Sequence, residues 1–436
     1  MNMLSLVLAL SAQEPSVPAV AAPASPGASV RIVVVREHLG EMTGAGFGHG
    51  LAVLGDLDHD GLPDYAIGAP RDPSSPDTDG SVEVHSGKTG ALRYLHRGTR
   101  DGAGFGFALA GGDCDGDGIA DVVVAAPYAN DEKHEHAGCV GFFAGKDGRL
   151  LREIWGEDRA GFGWALTALG DIDRDGCADY AIGAPYADQR RSSTKAELEI
   201  GRVDVYSGKK ARLLFSVWGN AAEDRFGWSV TAVDDSDGDD VPDFLVGAEG
   251  AREGNRRPGS ATLVSGRNGN VLARFSGDSG TYFGASVCSL PDLDGDGRAD
   301  LAVGAWNAGD ADERCGEVRI LSSRTRKVLH TLRGRTHLDQ FGRTLAATSD
   351  LDGDGVADFV VGAPSTENGG YVQFVSSKTL TVLAEERGAR VGERFGVSLC
   401  AADLDGDGRS EVIVGVGVAE APSAGRVVVL GVQRVQ

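Results

Sequence analysis

Seven times along the chain, acidic residues occupy positions 1, 3, 5 and 9 of a nine-residue segment. The first three segments carry Asp56, Asp58, Asp60 and Asp64; Asp113, Asp115, Asp117 and Asp121; and Asp171, Asp173, Asp175 and Asp179. The next two carry Asp235, Asp237, Asp239 and Asp243, then Asp292, Asp294, Asp296 and Asp300. The last two carry Asp350, Asp352, Asp354 and Asp358, then Asp403, Asp405, Asp407 and Glu411. Carboxylates crowded in this way repel one another unless a hard divalent cation sits among them. An all-oxygen set without His or Cys favours Ca2+ over zinc or copper, so the pattern predicts up to seven calcium sites. Position 6 is Gly in six segments, where the chain must turn sharply; in the fourth it is Asp240, which marks that site as the weakest. An EF-hand is excluded, because its last ligand is a Glu at position 12 and its flanks are helical. The plain alternative is a solvated acidic turn, which gives no reason for one ligand pattern to recur seven times.

The segments recur at spacings of 57, 58, 64, 57, 58 and 53 residues, too long for a helical-hairpin solenoid. A Phe-Gly pair stands eight or nine residues ahead of each one: Phe47-Gly48, Phe105-Gly106, Phe162-Gly163, Phe226-Gly227, Phe283-Gly284, Phe341-Gly342 and Phe395-Gly396. That interval is one short strand. After each loop comes a β-branched apolar run such as Val122 to Val124, suited to a strand buried on both faces, ending in Gly-Ala-Pro or a relative. An alternating strand such as Val82 to Val84, a Ser-Gly turn and a fourth strand such as Leu213 to Trp218 complete the unit. Seven four-stranded units predict an all-β fold, a seven-bladed β-propeller. The seventh unit runs out after Val427 to Leu430, one strand short, while Val30 to Val35 precedes the first Phe-Gly with no blade of its own. This N-terminal strand should close the last blade beside Val427 to Leu430 and remove an open sheet edge.

Phe-Gly, the acidic loop and Gly-Ala-Pro recurring in order over residues 30 to 436 resemble the FG-GAP repeat family, the propeller of integrin alpha-chain heads. The resemblance implies that the ion loops lie on a lower face. It also implies that the loops after Gly-Ala-Pro and before Phe-Gly build an upper, ligand-binding face. It does not extend to leg or catalytic domains, and so implies neither an integrin-like heterodimer nor a phospholipase. The Gly-Ala-Pro element departs from type at Ala125-Ala126-Pro127, Gly247-Ala248-Glu249, Gly304-Ala305-Trp306 and Gly415-Val416-Gly417, which leaves the shape of the following turn open.

By that analogy the variable upper loops are 71–80, 128–138, 186–201, 250–259, 307–316, 365–370 and 418–425. The third is the longest and carries Arg190, Arg191 and Lys195; its neighbour carries Arg252, Arg256 and Arg257. Two adjacent cationic loops on a chain of net charge −22 could receive an acidic protein loop or an acidic glycan; solvated arginines are the plainer reading. The residues after Phe-Gly are His49, Phe107, Trp164 and Trp228 in the first four units, a candidate partner-binding rim or simple packing.

Catalysis is the minor alternative, a secreted lyase or hydrolase. The one local histidine cluster, His134-Glu135-His136, matches no metalloenzyme spacing. The acidic charge disfavours nucleic acid as a partner, and no apolar run approaches the ~20 residues of a spanning helix. Residues 1–28 read as a secretion leader followed by a Pro/Ala-rich linker, and 29–436 as a single propeller. The expectation is therefore a monomeric secreted, cell-surface or periplasmic binding module in which calcium is structural. Six scattered cysteines form no C-x-x-C motif and are expected to be small buried residues.

Overall fold

The computed structural model describes residues 30–41, 44–70, 80–99, 103–130, 135–192, 195–197, 199–254, 256–309, 314–417 and 424–435. The leader and linker expected over 1–28 lie outside them. The described residues form strands and turns without a helix, arranged in seven four-stranded antiparallel sheets. In the first blade the order is Gly50–Val53, Tyr65–Ala69, Ser81–His85 and Leu92–Arg97. The first strand of each blade touches that of the next, and the seventh touches the first, so these strands ring the axis and the molecule is a closed seven-bladed β-propeller.

The second strand of each blade is buried on both faces, as in Asp121–Ala126 and Asp243–Ala248. Its apolar run has no polar side because a neighbouring blade covers each face. The core accordingly lies between blades: Leu57 packs with Val122 and Val124, and Leu351 with Val412 and Val414. These leucines occupy position 2 of their acidic loops, so each such loop is anchored in the following blade. Truncating one, as in Leu351→Ala, would cost about 2–5 kcal/mol. Glycines let the blades meet. A Cβ on Gly68 would come 2.0 Å from the carbonyl oxygen of Gly106, the Phe-Gly glycine of the next blade, and Gly304 stands in the same relation to Gly342 at 1.9 Å.

The seventh blade closes as expected. Its strands run Phe395–Ala402, Glu411–Val416 and Arg426–Arg434 outward, and Val30–Leu39 pairs antiparallel with the last of these as the outermost strand. The closing strand is longer than Val30 to Val35, and its register pairs Val33 with Gly431 and Glu37 with Val428, across an irregularity between Val34 and Arg36. It also grips the first blade. Arg36 Nη2 donates to the Lys88 carbonyl at 2.6 Å, and His38 Nε2 lies 2.7 Å from the Tyr65 hydroxyl. The long third upper loop is partly ordered as an extra hairpin, Gln189–Ser192 against Lys195–Glu197. Of the six cysteines, Cys114, Cys139, Cys177 and Cys288 are buried and Cys315 and Cys400 half-buried.

Candidate functional site

Each acidic loop joins the first strand of a blade to the second, so all seven lie at one end of the propeller, and Phe-Gly and Gly-Ala-Pro lie at the other. Within a loop the acids have different tasks. Position 1 holds the turn: Asp292 Oδ1 accepts the N–H of Gly295 at 2.7 Å and Oδ2 that of Gly297 at 2.7 Å. These backbone donors hold its carboxyl below the usual range. Position 9 starts the second strand and stitches two loops together. Asp64 Oδ2 accepts from Leu57 N at 3.0 Å, and its Oδ1 from Gly87 N, in the Ser-Gly turn, at 2.9 Å. Burial pushes position 9 up, to about 6 at Asp179, Asp243, Asp300 and Asp358 and to about 7 at Glu411, against the pull of those backbone donors.

The carboxylates of positions 1, 3 and 9 converge. Asp56, Asp58 and Asp64 bring one oxygen each within 4.8 Å of one another, as do Asp113, Asp115 and Asp121; Asp171, Asp173 and Asp179; and Asp292, Asp294 and Asp300. In the fourth loop the converging set is Asp235, Asp237 and Asp239. Position 5 instead turns one oxygen to its own loop, as where Asp60 Oδ1 accepts from Leu62 N at 3.0 Å. Three carboxylate oxygens, Asp58 Oδ1, Asp173 Oδ1 and Asp300 Oδ1, are buried with no hydrogen-bond donor. A buried anionic oxygen without a donor is costly, and a hard cation is the group that satisfies it, so this donor set fits calcium.

Cations of the protein's own reach some loops. Arg93 Nη1 lies 2.5 Å from Asp58, Lys210 3.0 Å from Asp175 and Arg267 Nε 2.6 Å from Asp239. The third loop also receives Arg212 Nη2 at 3.5 Å from Asp173, and the fourth is likewise approached twice. Arg298 Nη1 also approaches Asp235 at 3.6 Å, and Asp240 is held at φ 62° where six other loops place glycine.

At the opposite end, parts of the upper loops, 71–79, 131–134 and 418–423, lie outside the described residues, as does His134. Arg190 and Arg191 fall on the extra hairpin, of whose side chains nothing is described. Arg252 and Arg257 both pair with Glu223, Arg257 at 2.6 Å, and Arg256 is exposed. Between the second and third blades a groove of about 490 Å³ is lined by Tyr128, Glu135, His136, Arg159, Tyr186, Asp188 and Glu199 among others. Neither this groove nor the position 9 stitching is visible in sequence order, since both join residues from separate hairpins.

An acid-looped seven-bladed propeller is thus the class that fold and loops define. A family model described as "FG-GAP repeat" matches residues 105–140, 162–206, 283–313, 341–375 and 395–430. The chain is an FG-GAP repeat protein, with a propeller like that of the integrin alpha head. Integrin alpha-V of Gallus gallus is 31% identical over 218 residues, covering 47% of this chain and 20% of the relative. Integrin alpha-5 of Xenopus laevis is 29% identical over 226 residues, with coverage of 47% and 20%. Integrin alpha-3 of Mus musculus is 32% identical over 180 residues, with coverage of 38% and 16%. The chain therefore matches a fifth or less of the length of these relatives. The first and fourth units, which the family model does not match, build the same four strands as the rest.

Proposed function

We propose that the protein is an extracellular calcium-binding propeller that acts as a binding or adhesion module for a protein or glycan. The observation that carries this reading is the division of labour between its ends. One end repeats a single ligand pattern seven times, with buried carboxylate oxygens that lack donors; the other varies from blade to blade. Calcium, held by Asp or Glu at positions 1, 3 and 9, or at positions 1, 3 and 5 in the fourth loop, would neutralise the loop charge and fix the turn between the first two strands. Affinities of extracellular calcium modules, on the order of 10⁻⁴ to 10⁻³ M, suit a secreted, surface or periplasmic setting and not resting cytosol. Residues 1–28 fit the leader and linker such a setting needs.

A second reading, a secreted lyase or hydrolase, draws on the groove, where Glu135, His136, Tyr186 and Glu199 put acids and a histidine beside a tyrosine. Burial pushes the Tyr186 phenol up to about 12, away from a working base, which favours binding. One experiment addresses both readings: metal analysis of purified protein, then protein and glycan arrays with and without calcium alongside a polysaccharide lyase and hydrolase screen. The binding reading expects several calcium ions per chain, calcium-dependent capture and no turnover. Turnover would promote the enzyme, and fewer than about three ions per chain would remove the structural role of calcium.

A further inference from the structure

The residue after each Phe-Gly stands at the start of an innermost strand, so these seven residues surround the upper mouth of the axial channel. The ring has two unlike halves. His49, Phe107, Trp164 and Trp228 form a ladder of aromatic rings from blade to blade, with centroids 4.4, 4.8 and 4.8 Å apart. The remaining positions are Ala285, Arg343 and Val397. The residue before Phe-Gly changes one unit earlier: Gly46, Gly104 and Gly161 give way to Arg225, Tyr282, Gln340 and Arg394. All seven have positive φ, between 52° and 73°. Four side chains are thus carried on a backbone conformation that glycine adopts far more easily.

Three departures from Gly-Ala-Pro meet in the second half. Glu249, from the fourth blade, is buried and lies 3.8 Å from Arg343 Nη1. Trp306, from the fifth, has its ring under the Arg343 guanidinium, 5.5 Å from Cζ to centroid, and Tyr282 stacks on it at 4.8 Å. Gly417, from the seventh, packs against Arg394 and Val397; a Cβ there would lie 3.7 Å from Arg394 Cβ. Arg394 is close enough to Arg343 for their charges to interact. Glu249 Oε2, Arg394 Nε and Trp306 Nε1 are all buried without a hydrogen-bond partner. The Trp306 N–H lies near enough to stabilise the Glu249 carboxylate, yet misses good hydrogen-bond geometry. Arg225, on the border between the halves, already pairs with Glu199 at 3.1 Å. Buried polar groups are nearly always satisfied, and three orphans in one cluster mark a place where something polar is received.

We propose that this mouth binds a carboxylated sugar ring, a hexuronate unit of an acidic glycan. Its carboxylate is taken by Arg343 and Arg394, its hydroxyls by Glu249 and the Trp306 N–H, and its apolar face by the aromatic half. Two guanidiniums against one carboxylate leave local positive charge on a chain of net charge −22. The acceptor decides between ligand classes. Beside its carboxylate, a uronate ring carries hydroxyls that can donate to Glu249, whereas the carboxylate of an acidic side chain has no donor to offer it. Phe107, Trp164 and Trp228 are half-buried and His49 is exposed, so aromatic surface remains at the mouth for the apolar face of a pyranose. The inference deepens the binding-module reading and rests on it.

The test is calorimetric titration of the full chain in calcium with an oligogalacturonate, its neutral galactose counterpart and a polyglutamate peptide. Arg394→Gln is the main variant, because it leaves the Arg343 to Glu249 pair in place; Arg149→Gln, exposed in a turn at the acidic-loop end, is the control. The expected result is binding of the uronate at least about tenfold tighter than the neutral sugar, weakened about tenfold by Arg394→Gln at unchanged melting temperature and unaffected by Arg149→Gln. Equal affinity for acidic and neutral sugars, or indifference to Arg394→Gln, overturns the proposal. Tighter binding of polyglutamate replaces the glycan with a protein partner. Failure of all three probes sinks this site alone, since calcium-dependent capture on the arrays tests the binding module separately.

Discussion

The two ends of the propeller solve opposite problems. At the lower end the same nine-residue pattern is built seven times, each with a position 1 acid folding the turn; in five blades the position 9 acid also accepts from the turn after the third strand, and leucines at position 2 such as Leu57 and Leu351 pack with the following blade. At the upper end the same backbone frame carries aromatic rings over one half of the mouth and arginines, with Glu249, over the other. Repetition is what a contribution to stability looks like when every blade needs it. Variation is what remains where packing does not dictate the side chain.

The seam between the first and last blades underlies both ends, and breaking it should have the largest effect. Deleting residues 1–37 removes most of the outermost strand of blade seven and the Arg36 grip on blade one, exposing an apolar edge at Arg426–Arg434. The expected product is insoluble or greatly destabilised, while a 1–28 deletion melts like the full chain. A soluble 38–436 chain with an unchanged melting temperature would show that the ring closes without this strand.

Chelation should come next. At ~1 kcal/mol per occupied site, seven sites sum to several kcal/mol, so a chelator should lower the melting temperature markedly, and added calcium should restore it. Arg394→Gln at the upper mouth should leave that temperature in place. If chelator leaves melting untouched, or the rim variant moves it as far, the division between the ends fails.

The His38 contact to blade one is sensitive to pH. Burial, then His85, lowers His38 from 6.5 to about 4, with Arg36 adding to the effect and Glu83 opposing it. Between those values the unfolded chain binds more protons than the folded one, so the group costs no stability above pH 6.5 and progressively more down to about 4. In saturating calcium, the stability gap between the native chain and His38→Gln, from denaturant titration, should shift against the native chain over that window. A gap constant with pH removes the histidine from the seam.

The smallest expected effect lies within the lower end. Asp240→Gly relieves the one left-handed Asp at position 6, and should stabilise the chain by up to about 1 kcal/mol and tighten the weakest calcium site. Unchanged melting and an unchanged weakest step in a calcium titration would mean that Arg267 and Arg298, and not the turn, limit that loop.

Strand count, blade count and the identity of the closing strand were legible in the sequence because they are local and repeated. Period-two runs, Phe-Gly and the acidic loops each report on a few consecutive residues, and seven copies average out the exceptions. The candidate ion ligands were legible for the same reason, although position 5 does not join the tight carboxylate cluster in the loops where positions 1, 3 and 9 converge. Register across the seam was not, since a strand with apolar residues on successive positions accepts several pairings; Glu37 against Val428 was settled by the bulge beside Arg36. Nor was the upper mouth. Glu249, Trp306, Arg343 and Arg394 come from four different blades, and in sequence three of the departures from Gly-Ala-Pro read as separate irregularities. Only closure of the ring sets them side by side, because in a propeller the start of every inner strand is brought to one axis, however far apart along the chain those starts lie.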